Sequence, residues 1–138
     1  MRRVNPSRPL LRGVFASETE RLSFLTRDVR IEVFAEERGL SHLVPILQSE
    51  LDQELARVRC FSEVAQVLGR LRAAGKRIVV CSNFAQLYGK IVRQLSLSLD
   101  GYVMSCEVGA AKPDPVIYHA VCDAQYCRHS DALFIGDS

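Results

Sequence analysis

Three polar segments of this chain each follow a short apolar run, and their side chains suit the handling of a phosphoryl group. Ser82 and Asn83 follow the run RIVVC at 77–81, and Lys112 lies in the loop EVGAAKPDP at 107–115. Asp137 follows a third run, in FIGDS at 134–138. A serine hydroxyl at a strand end, with the turn amides after it, can donate hydrogen bonds to phosphate oxygens. A lysine ammonium offsets the negative charge of a phosphoryl group and of the intermediate formed from it. A carboxylate such as Asp137 suits Mg²⁺, a hard cation that often takes only one or two carboxylates. Gly109 and Gly136 permit tight turns beside these groups. Singly, each residue has a plainer reading: a turn serine, a solvated lysine, a terminal turn. Their order on successive strand ends sets them apart.

The elements needed to position these groups are legible around them. Residues 77–81 read as a strand covered on both faces, as in a parallel sheet. A helix over about 85–95, with Leu87, Tyr88, Ile91 and Leu95 inward, leads to a short strand at 102–104. Asp114 and Pro115 give a helix start with proline at the first position, running toward Ala124. Residues 132–135 read as the last strand. Upstream, Ser62 is the expected cap of a helix carrying Val64, Leu68 and Leu71 and stopped by Gly75. Strand, helix, strand, helix, strand is the pattern of an α/β domain with a doubly wound, Rossmann-like parallel sheet, in which ligands bind beyond the carboxyl ends of the strands. Before it, Leu22, Leu25, Val29 and Val33 recur at helical spacing up to Gly39. A second helix is expected from near Ser41, with Ile46, Leu47, Leu51, Leu55 and Val58 on its apolar side. The expected organisation is an irregular start over 1–17, a helical segment over 18–59 and an α/β core over 60–138.

VVCSN (79–83) resembles the second motif of the haloacid dehalogenase superfamily, an apolar strand ending in Ser or Thr. EVGAAKPDPVIYHA (107–120) resembles the third, and FIGDS (134–138) the start of the fourth, whose acidic residues hold Mg²⁺. The likeness spans residues 61–138 closely and 18–59 more loosely, as the helical cap of one branch. It implies a two-step phosphoryl transfer, in which an aspartate attacks phosphorus and water then cleaves the aspartyl-phosphate. Carried over, Ser82 and Lys112 would be the catalytic pair, with Ser82, Asn83 and Lys112 binding phosphate and Asp137 holding the metal. The implied substrate is a small phosphorylated metabolite.

The family's first motif, a strand ending in D-x-D whose first aspartate is the nucleophile, has no counterpart: no D-x-D occurs in the 138 residues. The best positional match runs from Leu10 to Val14, with Leu10 at the nucleophile, Arg12 at the acid/base and Gly13 at the glycine. Pro6 and Pro9 stand where the preceding strand would run, and proline is excluded from central strands. The central strand of the sheet is therefore expected to be missing or irregular. Either its two flanking strands pair directly, or residues 10–15 fill the gap. The fourth motif stops one residue after Asp137. The resemblance thus implies a Mg²⁺-dependent phosphatase truncated at both ends and inactive as written, with Mg²⁺ binding weak or absent. The alternative is a non-catalytic protein that keeps phosphate-binding or protein-interaction ability.

Composition narrows the rest. With 48% hydrophobic and 25% charged residues and a net charge of +2, the chain reads as an ordinary globular domain with no basic stripe for nucleic acid. No apolar run is long enough to span a bilayer, and no secretory signal follows Arg2 and Arg3, so a membrane partner is not expected and the cytoplasm is. The five cysteines, Cys60, Cys81, Cys106, Cys122 and Cys127, lack zinc spacing and are expected to be reduced.

Overall fold

Ser17 accepts the Glu20 amide on its hydroxyl and opens helix α1 (Glu18–Leu25), whose first turn carries Glu18 and Glu20 where helix amides favour negative charge. The structure is a computed structural model and describes residues 17–95 and 97–136. Leu10, Arg12, Gly13 and the candidate metal ligand Asp137 lie outside the described residues.

The single helix expected up to Gly39 is two, α1 and α2 (Ile31–Glu37). The break follows Thr26, whose hydroxyl lies 3.1 Å from the carbonyls of both Leu22 and Ser23 and closes the helix end. Tertiary contacts then fold α2 back: Arg27 grips Glu37 with two bonds of 2.8 and 2.6 Å, and the rings of Phe24 and Phe34 meet at 4.5 Å. Gly39 ends α2 at φ +68°, as its position suggests. A 3₁₀ turn (Ser41–Leu43) leads into α3 (Val44–Leu55). Leu47 and Leu51, one turn apart, are buried against Ile31 and Tyr88. Ile46, expected beside them, points away and is 52% exposed.

Helix α4 (Val64–Ala73) buries none of its residues completely, and Leu71 is exposed. The expected Ser62 cap does not form, since that hydroxyl meets the Glu63 carboxylate at 3.0 Å instead. Gly75 at φ +72° stops the helix. Strand β1 (Val79–Ser82), helix α5 (Gln86–Gln94) and strand β2 (Gly101–Met104) follow, then a single turn α6 (Ser105–Val108) and helix α7 (Pro115–Gln125). The strands are parallel, with Val79 opposite Gly101 and Ser82 opposite Met104. Side chains alternate across a strand, so the two sheet faces build two cores. Val79, Cys81 and Val103 pack with Ile117 and Val121 of α7, while Val80, Tyr102 and Met104 pack with Val92 of α5. Helices on both faces of a parallel sheet make an α/β domain. Tyr88 joins the α1–α3 helices to this core, packing on the Ile31, Leu47 and Leu51 cluster and bonding Glu54 at 3.1 Å.

The expected last strand does not form. Residues 132–136 make no strand, and Leu133 and Ile135 are 85% and 88% exposed. A strand needs a ladder partner, and the only described neighbour of β1 is β2. Direct pairing of the segments flanking the central gap is thereby ruled out among the described residues; filling of the gap by residues 10–15 falls outside them. Phe134 alone is anchored, edge-on to Tyr118 at 4.7 Å. Among the described residues no helix is long and apolar enough to cross a membrane.

Candidate functional site

Because β1 and β2 are parallel and in register, the segments that follow them leave the sheet at the same edge. Ser82 and Asn83 pass through extended Ala85 into α5. Beyond β2 the chain turns through α6 and left-handed Gly109 (φ +77°), then reaches Lys112 and the cis Lys112–Pro113 peptide. Space is not what Gly109 supplies, since a Cβ there would meet nothing within 4 Å; its backbone angle is. Asp114 accepts the Val116 amide at 2.9 Å and caps α7, with Pro115 at the first helical position, as the sequence indicates.

Asn83 ties the two segments together. Its Nδ2 donates to the Lys112 carbonyl at 3.0 Å, and its Oδ1 accepts the Lys112 amide at 2.7 Å. A carboxamide holds donor and acceptor side by side, so it pairs with a peptide group much as a neighbouring strand would. Residues 29 positions apart are thereby fixed to each other. Lys112 is half-buried, and its charge reaches β1: burial pushes the Cys81 thiol up, while Lys112 draws it part of the way back. Ser82 is also half-buried, and its hydroxyl bonds no described residue. The structure thus brings Ser82, Asn83 and Lys112 to one edge.

Hydroxyl, ammonium and turn amides can receive an anion. They do not fit Mg²⁺, which requires oxygen ligands and normally a carboxylate. The nearby acids are engaged elsewhere, Asp114 as the α7 cap and Glu107 in an ion pair with Arg93 at 2.7 Å. No cluster of three or more metal-ligating side chains occurs among the described residues.

Sequence reading missed Ser105, which is fully buried. Its hydroxyl lies 2.6 Å from the carbonyl of Leu25 and 3.3 Å from that of Phe84, so it joins the end of α1 to the loop after β1. The available signal was a serine directly after the apolar strand GYVM, the same placement that singled out Ser82. Replacing Ser105 by alanine leaves a buried carbonyl without its donor, which costs about 1–3 kcal/mol. The urea midpoint is expected to fall accordingly at unchanged slope; an unmoved midpoint would show that the hydroxyl contributes nothing.

A separate small cavity between α1, α3 and α5 is lined by Phe24, Val29, Ile31, Leu51, Ala85, Gln86 and Tyr88. Its sole ionisable group is the Tyr88 phenol, pushed far above its usual range by burial and by the Glu54 carboxylate. This lining carries no cation.

A family model described as haloacid dehalogenase-like hydrolase matches residues 12–138. No curated protein and no solved structure matches the chain.

Proposed function

Because the chain belongs to the haloacid dehalogenase-like hydrolase family, we propose that its strand-end site receives the phosphoryl group of a small phosphorylated metabolite and holds it without turnover. The observation that supports this reading is the paired bonding of Asn83 to the Lys112 peptide, which ties the backbone of Lys112 to the turn after Ser82. Ser82 donates its hydroxyl to a phosphate oxygen, the amides of the following turn add further donors, and Lys112 offsets the charge. Asn83 acts chiefly by holding Lys112 in place.

Turnover in the family's manner needs an aspartate to displace the alcohol from phosphorus. The sequence offers no D-x-D from which one could attack. Mg²⁺ binding is taken to be weak or absent, and its candidate ligand, Asp137, lies outside the described residues. Without a nucleophile, bound phosphate is a resting state.

Titration of the purified chain with inorganic phosphate, followed by NMR, tests the reading. Shifts are expected at the amides of Ser82, Asn83 and Lys112, and Lys112→Ala should weaken binding about 10- to 100-fold, the loss of one charge-assisted bond of roughly 1.5–3 kcal/mol. Absence of shifts at Ser82 and Lys112 would overturn the binding site. Hydrolysis of p-nitrophenyl phosphate that requires Mg²⁺ and is abolished by Asp137→Ala would overturn the claim of no turnover, leaving the phosphatase reading in its place.

A further inference from the structure

Helices α2, α4 and α7 end in the same way. In each, the residue in the left-handed conformation bonds back three positions, and the next residue bonds back five. Gly39 and Gly75 take the left-handed position in α2 and α4, whereas α7 uses Tyr126 at φ +49°, with its side chain 95% exposed. In α7 the two bonds run from the Tyr126 amide to the Asp123 carbonyl, at 3.2 Å, and from the Cys127 amide to the Cys122 carbonyl, at 3.1 Å.

This turn characteristically brings together the side chains of the first and last residues it links. In α2 they are Ala35 and Leu40, and in α4 Leu71 and Lys76. In α7 both are cysteines. A hydrogen bond from one residue's own amide to the other's own carbonyl keeps their Cα atoms within roughly 7 Å even when straight, and bending at the carbonyl brings them closer. Disulfides require Cα separations of roughly 4.4–6.8 Å. Cys122 is buried and Cys127 half-buried, so one sulfur is shielded and its neighbour is reachable. Burial, a hydrogen bond with Cys127 and the Asp123 charge all hold the Cys122 thiol above its ordinary range, so it stays protonated at rest. Cys81 and Cys106 are placed differently, in the cores on opposite faces of the sheet.

We propose that Cys122 and Cys127 form a dithiol oxidation site, which a small-molecule disulfide converts to an intrachain disulfide at the C-terminal end of α7. The reaction is thiol–disulfide exchange in two steps. The Cys127 thiolate attacks one sulfur of glutathione disulfide, breaking its S–S bond; one glutathione leaves as thiolate and takes up the proton Cys127 lost. Cys122 then gives up its proton and attacks the Cys127 sulfur, releasing the second glutathione, again as thiol. Two protein thiols are oxidised and one glutathione disulfide is reduced to two glutathiones. The dithiol lies at the far end of the 11-residue helix from Lys112, about 16 Å along its axis. Its oxidation is therefore independent of phosphate binding, and either can fail alone.

The test treats the whole folded chain with glutathione disulfide at mildly alkaline pH, traps remaining thiols by alkylation, and maps the products by mass spectrometry under non-reducing conditions. The expected product has lost two hydrogens, with Cys122 and Cys127 joined, the half-buried Cys60 and Cys81 recovered as alkylated thiols, and buried Cys106 alkylated only after unfolding. Cys127→Ser should abolish the disulfide. Cys122→Ser should stop the reaction halfway, with glutathione retained on Cys127; should that buried variant fail to fold, the wild-type map and Cys127→Ser decide. A disulfide between another pair would overturn the proposal. So would a stable glutathione adduct on wild-type Cys127 with Cys122 still free.

Discussion

Replacing Asn83 by alanine is expected to lower the stability of the chain by about 2 kcal/mol or more and to weaken phosphate binding at least about tenfold. Two hydrogen bonds to the Lys112 peptide vanish together, at 3.0 and 2.7 Å in the intact protein. Each is worth about 1 kcal/mol net, and a part-buried peptide deprived of partners adds its own desolvation penalty. The loss of affinity has a separate origin. The loop bearing Lys112 is then held at its ends, by Gly109 and by the Asp114 cap, and no longer against β1. Asn83→Asp separates pairing from bulk: it keeps the size and one acceptor but sets a carboxylate against the Lys112 carbonyl, so it should fare no better than alanine. Urea unfolding and phosphate titration by NMR measure the two effects. Full binding by both variants would mean that Lys112 is positioned by something else.

The second large effect lies in the helices before the sheet. Phe34 is 1% exposed, stacks at a tilt on Phe24, and carries the Arg38 guanidinium 3.9 Å above its ring. Arg38 is itself paired with Glu20 at 2.9 Å, so the ring sits under an ion pair linking α1 to the end of α2. Phe34→Ala empties that space and removes the cation–π contact as well as the ring packing. Aromatic truncations in packed cores cost about 3–5 kcal/mol, a large part of the roughly 5–15 kcal/mol that stabilises a typical domain. The expected result is a much lower urea midpoint, with Phe34→Leu intermediate. A loss under about 1 kcal/mol would show that the α1–α2 packing adds little to folding.

What could be read from the sequence was what local physics decides. The strands before Asn83 and Ser105, the α7 start at Asp114 and Pro115, and the stops at Gly39 and Gly75 all rest on signals within a few residues, and each is present. The parts that went wrong depend on distant partners. The helical period through Val29 is real, yet Thr26 and the Phe24–Phe34 contact fold the chain back there. Residues 132–135 have strand composition, but a strand forms only against a neighbour, and no described one pairs with them. The site was legible to the same degree. Ser82 and Lys112 were visible as strand-end residues, whereas the tie between them is a side-chain-to-peptide pairing 29 positions long, which no periodicity records.

The Ser105 hydroxyl has one proton and two carbonyls within reach, Leu25 on the helical side and Phe84 on the strand side. If α1 were drawn away, the proton would rotate to Phe84 and the Leu25 carbonyl, at a helix end, would turn to water. The buried hydroxyl would keep a partner in either position. The joint is a latch with a spare catch, and opening it costs far less than tearing out a donor that has only one place to go.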